Sequence, residues 1–209
     1  MQPFTTFSAV GVPIDERNVD TNQLCPTRFN KVPEDDPNYA RILFNNQRFA
    51  PDGGVLPDFI LNRAPYDRAG IMVADDNFGC GSSRESAVYA LLAFGIRCVI
   101  APGFGDIFAA NAAKNGLLTV TLPGEVCEQL RTHLRDSPGT SINVDLQQCT
   151  VSVAGISENA FEMPATVRRN LLGGLDDVGV TQQFAKAIET FELRHRRALP
   201  WAFKETQAG

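Results

Sequence analysis

The sequence is poor in the residues that most often build nucleophilic or metal-binding sites. It contains two histidines and five cysteines, and the cysteines are far apart, without a C-x-x-C pair. An odd, dispersed set of thiols argues against a disulfide framework and against a zinc or iron-sulfur site held by this chain alone. His133 and His195 lie in stretches with helical periodicity and accompany no G-x-S-x-G motif, so a Ser-His nucleophile is disfavoured.

The chain also lacks long apolar runs and an excess of positive charge. No apolar run reaches about 18 residues, and "MQPFTTFSAV" has neither a basic nor an apolar leader region, so we expect no membrane span, no secretory signal and a cytoplasmic location. The formal net charge is -5, and the only dense basic run is "RHRR" at 194–197. We therefore expect no nucleic-acid partner.

What the chain does contain is enough apolar sequence for a core, arranged in an alternating pattern. Of its 209 residues, 44% are hydrophobic, and we expect a single domain over 1–209. After Gly70, short apolar runs alternate with helical periods, which predicts an α/β domain with a mostly parallel sheet. The predicted strands are "IMVAD", "RCVIAP", "LLTVTL", 141–145 and 149–153, and the predicted helices are 85–95, "DIFAANAAKNG" and "GEVCEQLRTHL".

Two segments flank this alternating region. The segment 13–65 holds seven of the thirteen prolines and little periodicity. Such a stretch is either a functional loop or disordered, and the mixed polarity of "NVDTNQLCPTRF" favours an ordered, functional loop. Residues 174–209 predict a helical extension that begins with a turn at "GLDD". Thr181 is expected to cap a helix with Phe184, Ala187, Ile188 and Phe191 on one face, and Asp106 is expected to cap the helix of "GDIFAANAAKNG".

The stretch "DNFGCGSSRES", residues 76–86, carries the strongest chemical signal. Gly79 and Gly81 allow a tight turn between a strand and a helix, so that Ser82, Ser83 and nearby N–H groups form an anion site, with Arg84 suited to a carboxylate. The alternative is an ordinary strand-to-helix turn with a serine N-cap and Arg84 paired to a surface acid. The stretch lacks the third glycine of a dinucleotide fingerprint, and the chain lacks the G-K-[ST] of a P-loop, so nucleotide binding is not predicted.

A serine in this loop has a further possible use, as a base that removes a proton from carbon. A free hydroxyl is far too weak a base, but an alkoxide held by N–H groups and a guanidinium is not. Eliminating water also requires a group that binds the leaving hydroxyl, and the sequence offers no metal motif for that purpose. Half of the required chemistry is therefore missing from this chain.

Four segments in the same order carry a resemblance to a known family. They are "NVDTNQLCPTRF" (18–29), "DNFGCGSSRE" (76–85), "IAPGFGDIFAANAAKNGLL" (100–118) and "GLDDVGVT" (174–181). Together they resemble the small subunits of bacterial 3-isopropylmalate dehydratase, in the aconitase superfamily. The resemblance implies a swivelling β/β/α domain and a hydro-lyase that is active only with a separate large subunit, which carries a [4Fe-4S] cluster.

The resemblance also implies roles for individual residues. Ser82 is similar to the catalytic base of the superfamily, and Ser83 and Arg84 are similar to its contacts with the substrate carboxylate. Asp20 and Thr21 match a motif that lines the same cleft. Arg28 lies in a loop that resembles the region varying with substrate, which makes 13–65 the expected substrate- and partner-facing region.

Three departures from the family pattern leave the substrate open. Ser86 stands where the family usually has His, Asn22 where it has Asp, and "GFGDIF" where it commonly has S-F-A-D-I-F. We favour isopropylmalate, in leucine biosynthesis. The alternatives are the small subunit of a hydratase for another hydroxy diacid, of the methylmalate, citraconate or homoaconitate type, and a non-catalytic module that binds a carboxylate.

Overall fold

A computed structural model describes residues 1–82 and 84–203 of the chain. Its centre is a seven-stranded sheet with the strand order β4-β3-β2-β1-β5-β6-β7. The strands are β1 Thr6–Ile14, β2 Ile71–Ala74, β3 Cys98–Ala101, β4 Leu118–Thr121, β5 Ser141–Asp145, β6 Thr150–Val153 and β7 Ile156–Ala160. The α-helices are α1 Thr21–Leu24, α2 Asn45–Arg48, α3 Glu85–Phe94, α4 Asp106–Asn115, α5 Gly124–Asp136, α6 Ala165–Gly173, α7 Asp177–Gln182 and α8 Ala185–Ala198.

Four strands, β4-β3-β2-β1, form the parallel part of the sheet, and β5-β6-β7 extend it in antiparallel fashion. Every residue of β2 and β3 is buried, as expected for parallel strands covered on both faces. Met72 and Val99 pack on one side into a core shared with α3 and the segment 13–65. Ile71 and Cys98 face a second core that includes α5. The predicted α/β class and the β-α-β-α-β order after Gly70 are confirmed.

Strand β1 connects the two parts of the sheet and was not predicted. Its residues Thr6–Val10 pair with β5, whereas Gly11–Ile14 pair with β2. A Cβ on Gly11 would lie 2.8 Å from Ile142 Cδ1 and Leu134 Cδ2, so a larger residue there would require both side chains to shift. Pro13 is tolerated in the strand because, beyond Val10, β1 has a paired neighbour on one side only. The edge strand β7 and helix α6 were not predicted either.

The segment 13–65 is ordered, as the sequence favoured. It contains α1, α2 and several single-turn 3-10 helices, and it contributes buried side chains to the first core, among them Leu24, Leu43, Phe44 and Leu61. Arg48 is only 8% exposed. Its guanidinium donates to the carbonyls of Ala40 and Leu43 and to Asn62 Oδ1. Burial lowers the pKa of Arg48 to about 10, so it keeps its charge at neutral pH.

Two predicted helix caps are wrong. Thr181 lies inside α7, where its hydroxyl donates to the carbonyl of Asp177, and α8 begins after Phe184 without a side-chain cap. Asp176 caps α7 instead, accepting from the Gly179 N–H. At α4 the N-cap is Gly105, and Asp106 is the first helical residue. Asp106 thus lies one position further into its helix than predicted. Thr181 lies in the helix before the one that it was predicted to cap.

The described residues include no helix that is both long and apolar enough to cross a membrane.

Candidate functional site

The loop after β2 runs beside the loop after β1. Asp20 forms a parallel bridge with Cys80, and the Thr21 N–H donates to the Cys80 carbonyl at 3.0 Å. The Gly79 N–H donates to the Val19 carbonyl at 2.7 Å. Because neighbouring parallel strands end at the same edge of the sheet, the "NVDT" and "NFGCGS" segments meet there.

The loop after β3 packs on the other side of the same turn. Phe78 forms a parallel bridge with Phe104, and the Gly105 N–H donates to the Phe78 carbonyl at 2.9 Å. Gly79 has φ +73°, and a Cβ there would lie 2.2 Å from Phe108 Cγ. The turn therefore requires glycine at this position for both its backbone conformation and its closeness to α4.

Ser82 lies at the exposed end of this turn. Its carbonyl accepts a hydrogen bond from Thr21 Oγ1 at 2.8 Å, which ties the turn to α1. Ser83, the other predicted serine contact, lies outside the described residues. The exposed position leaves Ser82 open to a ligand or to a partner protein.

Arg84 is the N-cap residue of α3, and its guanidinium turns toward α1 and the residue after it, Cys25. Nη1 donates to Asn22 Oδ1 at 3.1 Å and to the Cys25 carbonyl at 3.2 Å. Asn22 Oδ1 also accepts from the N–H and the hydroxyl of Thr27, at 3.1 and 2.9 Å. The alternative of an ordinary turn expected a serine cap and an acidic partner for Arg84. Instead Arg84 has two neutral acceptors, which orient the guanidinium without neutralising its charge.

Asp20 and Thr21 are close to this turn but also support the local fold. Asp20 Oδ1 accepts from the N–H groups of Asn22 and Gln23, and Gln23 Oε1 accepts from the Asp20 N–H, which completes a capping box. Thr21 is 2% exposed. Both residues hold α1 against the loop that carries Ser82.

Arg28 and Arg84 line different cavities. Its guanidinium donates to Asn45 Oδ1 and Asn46 Oδ1, both at 2.7 Å, and lies 4.5 Å from the centre of the Phe29 ring. It lines a cavity of about 600 Å³ with Arg41 and Phe49, and Arg84 is not among the residues lining that cavity. The structure thus places Arg28 in a separate recess of the segment 13–65.

A second cavity, of about 390 Å³, adjoins Arg84. Ser86 contributes to its wall, and its hydroxyl donates to Asn30 Oδ1 at 3.3 Å. The remaining lining residues are Asn30, Val32, Glu34, Tyr39, Glu85 and Tyr89. The sequence had marked Ser86 only as a departure from a pattern, and it gave no signal for Val32, Tyr39 or Tyr89, which the fold of 13–65 brings to this wall.

Burial holds the phenols and the thiol around the site in their neutral forms. Burial raises the pKa of Tyr39 to about 12. Burial, and then the charges of Glu85 and Glu34, raise the pKa of Tyr89. Burial also raises the pKa of the Cys80 thiol, with a further contribution from the charge of Asp20. At neutral pH the phenols are therefore hydrogen-bond donors, and Cys80 is a poor nucleophile.

Arg131 of α5 connects the beginnings of the two loops. Its side chain is 4% exposed, and it contacts Asp15 Oδ1 at 3.1 Å, Asp75 Oδ2 at 3.3 Å and Glu128. Nη1 also donates to the Ala74 carbonyl at 2.9 Å. Asp15 follows β1 and Asp75 follows β2, so one buried guanidinium fixes both strand ends. The sequence gave no signal for this, because Arg131 and Asp15 lie in different parts of the chain.

Over residues 1–82 and 84–203, no group of three or more His, Cys, Asp or Glu side chains is arranged to hold a metal ion. The cysteines of this part of the chain are free and do not form a cluster-binding set. The donor set thus does not fit an iron-sulfur cluster.

Known proteins share this sequence and fold. The profile of the Aconitase C-terminal domain family matches residues 1–125. The 3-isopropylmalate dehydratase small subunit of Gluconacetobacter diazotrophicus is 47% identical over 201 residues, which is 96% of this chain and 97% of that protein. The protein with the same name from Paracoccus denitrificans is 41% identical over 96% of this chain and 100% of its own length.

A solved structure supports the fold. The crystal structure of 3-isopropylmalate dehydratase from Methanocaldococcus jannaschii matches with a TM-score of 0.63 and 24% identity, covering 90% of this chain and 99% of that chain. The predicted aconitase-like fold class is therefore confirmed. With the family profile and the full-length relatives, these comparisons show that the chain belongs to the family of 3-isopropylmalate dehydratase small subunits.

Proposed function

We propose that this chain is the small subunit of a heteromeric hydro-lyase that interconverts 3-isopropylmalate and 2-isopropylmalate, by dehydration and rehydration, in leucine biosynthesis. The observation that carries the proposal is that the exposed Ser82 lies two residues before Arg84, whose guanidinium is oriented by neutral acceptors at the edge where three loops meet. The identity of 47% to a small subunit of that name supports the same activity. We also expect this chain to work in the cytoplasm.

In this proposal Arg84 binds a carboxylate of the diacid. A planar guanidinium suits two carboxylate oxygens, and Asn22 and the Cys25 carbonyl use only its Nη1. Ser83 would add a hydroxyl contact to the same carboxylate. Asp20 and Thr21 would line the cleft while holding the loop in place, and Arg28 would face substrate or partner from its own recess.

Ser82 would act as the base. Its Oγ, as an alkoxide, takes the proton from the carbon next to the bound carboxylate, and the electron pair left on that carbon forms the double bond as hydroxide leaves. An alkoxide at Ser82 requires stabilisation by nearby backbone N–H groups and the Arg84 charge. On rehydration the Ser82 hydroxyl returns its proton to carbon.

The departing hydroxide needs a Lewis acid, which we assign to a [4Fe-4S] cluster on a large-subunit partner, because the described residues of this chain do not fit such a cluster. Ser82 and Arg84 would then be half of a site that the partner completes.

The cavity beside Arg84 is our candidate for the substrate's side chain. Val32 and Tyr89 give it apolar surface, whereas Ser86 and Asn30 make part of its wall polar. This polar part is the observation that favours the second candidate, a hydratase for another hydroxy diacid of the methylmalate, citraconate or homoaconitate type. The third candidate, a non-catalytic carboxylate-binding module, would need Arg84 but no base at Ser82.

The test is the Ser82→Ala variant in an anaerobically co-expressed, cluster-loaded complex with the large subunit, assayed by ultraviolet absorbance of the unsaturated diacid. We expect kcat to fall by about 10²–10⁴-fold, with substrate binding nearly unchanged. Ser157→Ala, at an exposed position of β7, is the matched control and should keep full activity.

Normal turnover by the Ser82→Ala complex would disprove the assignment of the base. Turnover of methylmalate, citraconate or homocitrate, without turnover of isopropylmalate, would keep the mechanism and change the substrate. A loaded wild-type complex that binds these diacids but converts none would favour the binding module.

A further inference from the structure

Helix α8 exposes an apolar face. Phe184, Ile188 and Phe191 are 60%, 39% and 51% exposed. Their spacing of four and three residues places them on one side of the helix. No residue of α8 is buried. An amphipathic helix normally buries its apolar side, so this one is without a partner within the described chain.

The chain after α8 extends this face. The ring of His195 lies 5.3 Å from that of Phe191 and 5.5 Å from that of Phe203. Trp201, in the final 3-10 helix Pro200–Ala202, is 79% exposed. We call Phe184, Ile188, Phe191, Trp201 and Phe203 the C-terminal stripe.

The size of this surface matches that of a stable interface. The stripe, together with the exposed Val178 and Leu199 of the same C-terminal segment, presents an apolar area on the order of 800 Å², which is about what one partner contributes to a standard protein interface. Monomeric proteins rarely expose larger apolar patches. An isolated helix as short as α8 is also only marginally stable in water, so we expect a partner to stabilise it.

The position of α7 connects this surface to the functional site. Asn115 Nδ2, at the end of α4, donates to Glu85 Oε1 at 3.2 Å, and Glu85 is the residue after Arg84. The preceding Lys114 pairs with Asp177, the first residue of α7, at 3.2 Å. Helix α7 leads directly into α8. Helix α7 therefore starts beside the end of α4, and the same end of α4 contacts the first residue of α3.

The related small subunits share this part of the chain. The match to the protein from Gluconacetobacter diazotrophicus covers 201 of the 209 residues, so at most 8 residues are unmatched, fewer than the 14 residues of α8. At least part of α8 is thus common to a chain named as a small subunit.

We infer that the C-terminal stripe is a docking surface for the large subunit, an inference that rests on the proposed function. A partner is already required to complete the site around Ser82 and Arg84, and α7, which leads into α8, starts at the end of α4 that also contacts Glu85. A second copy of this chain would cover the stripe but would bring no Lewis acid to the site. One large partner accounts for both the open site and the uncovered helix.

The test uses the full chain with Ile188→Asp and Phe191→Asp combined. Leu193→Asp is the control, because Leu193 is 55% exposed on the opposite side of the same helix, and each new aspartate costs the helix a similar amount of intrinsic stability. The dissociation constant for the purified, cluster-loaded large subunit is measured anaerobically by calorimetry. We expect it to rise about 100-fold or more in the stripe variant and to change little in the control.

The activity assay separates this inference from the proposed function. At saturating stripe variant, kcat of the complex should return to the wild-type value, because the active-site residues are intact. Wild-type affinity in the stripe variant would overturn the docking surface while leaving the activity in place. A wild-type homodimer that the stripe variant dissociates, with unchanged affinity for the large subunit, would assign the stripe to a second copy. A wild-type complex that forms but converts no isopropylmalate would contradict the proposed function alone.

Discussion

Arg84 is held by an amide and a carbonyl, and the choice of a neutral amide at position 22 affects how it meets a substrate. A carboxylate at this position would pair with the guanidinium and compete with the carboxylate of a diacid. Asn22 orients Nη1 without that competition, and it links Arg84 to Thr27 through the same oxygen. Asn22 is therefore a positioning residue for Arg84.

We expect Asn22→Ala to raise KM for the diacid about 10-fold, the cost of one hydrogen bond to a charged group, with a smaller change in kcat. Asn22→Asp should raise KM as well, by pairing with Arg84. Steady-state kinetics of the loaded complex measure both effects, with Asn38→Ala, at an exposed turn, as the control. An unchanged KM in both Asn22 variants would show that Arg84 does not need this partner.

At the scale of elements, Arg131 joins helix α5 to the ends of β1 and β2. Its partners Asp15 and Glu128 are each 54% exposed, but the guanidinium itself is 4% exposed. Removing it would leave Asp75 without its paired guanidinium and leave Asp15 and Glu128 with Arg135 alone, beneath the two loops of the site. Arg135 shares two of these partners but is 37% exposed, so it offers a matched comparison on the same helix.

We expect Arg131→Met to lower the free energy of unfolding by about 2–4 kcal/mol at pH 7, as for a broken buried ion pair. Arg135→Met should cost about 1 kcal/mol or less, as for an exposed pair. Urea unfolding of the full chain measures both. Equal losses of unfolding free energy in the two variants would mean that the burial of Arg131 adds nothing to its contribution to stability.

The same cluster predicts how stability depends on pH. Hydrogen bonds from Arg135, and then from Arg131, hold the pKa of Glu128 below its ordinary value of 4.5. A carboxyl with a lowered pKa in the folded state stabilises the fold above its unfolded pKa, and this stability is lost as pH falls through the folded pKa. We expect Glu128→Gln to lose less stability than the wild type between pH 6 and about pH 3, measured by urea unfolding. An equal loss of stability with falling pH in the wild type and in Glu128→Gln would rule out a contribution from the lowered pKa of Glu128.

At the scale of the whole molecule, we propose that 1–209 is a single domain in which 13–65 is part of the core and the final helix is an addition to it. The segment 13–65 supplies Leu24, Leu43 and Phe44 to the first core. Helix α6 supplies Leu171 to the second core, and the Phe4 N–H donates to the Leu171 carbonyl at 2.9 Å. Helix α8 supplies no buried side chain.

We expect deletion of residues 185–209 to shift the thermal midpoint of the isolated chain by no more than about 2 °C, the effect of a surface change on a chain of this size. Deletion of residues 165–209 should lower the midpoint far more, because Leu171 leaves the core. Differential scanning calorimetry measures both deletions. A drop of several degrees on removing α8 alone would show that it packs on the body of the free protein.

The sequence by itself determined the elements whose pattern is local. The strands and helices from β2 to β6 follow from apolar runs and helical periods within a few residues of each other, and the turn at 76–86 follows from its glycines and serines. Strand β1 was not predicted, because Gly11 and Pro13 disfavour a strand and because half of the strand is buried on both faces. The predictions of helix caps at Asp106 and Thr181 were wrong because several polar residues near a helix start compete for the N-cap position.

Only the tertiary structure decided which distant residues meet. The contacts of Arg84 with Asn22, of Arg131 with Asp15, and of Ser86 with Asn30 each join segments far apart in the chain. The different cavities that Arg28 and Arg84 line, and the exposure of α8, could likewise not be read from the sequence. The physical reason is that local periodicity reports which face of an element is apolar, whereas strand register and packing decide what that face and its polar neighbours touch.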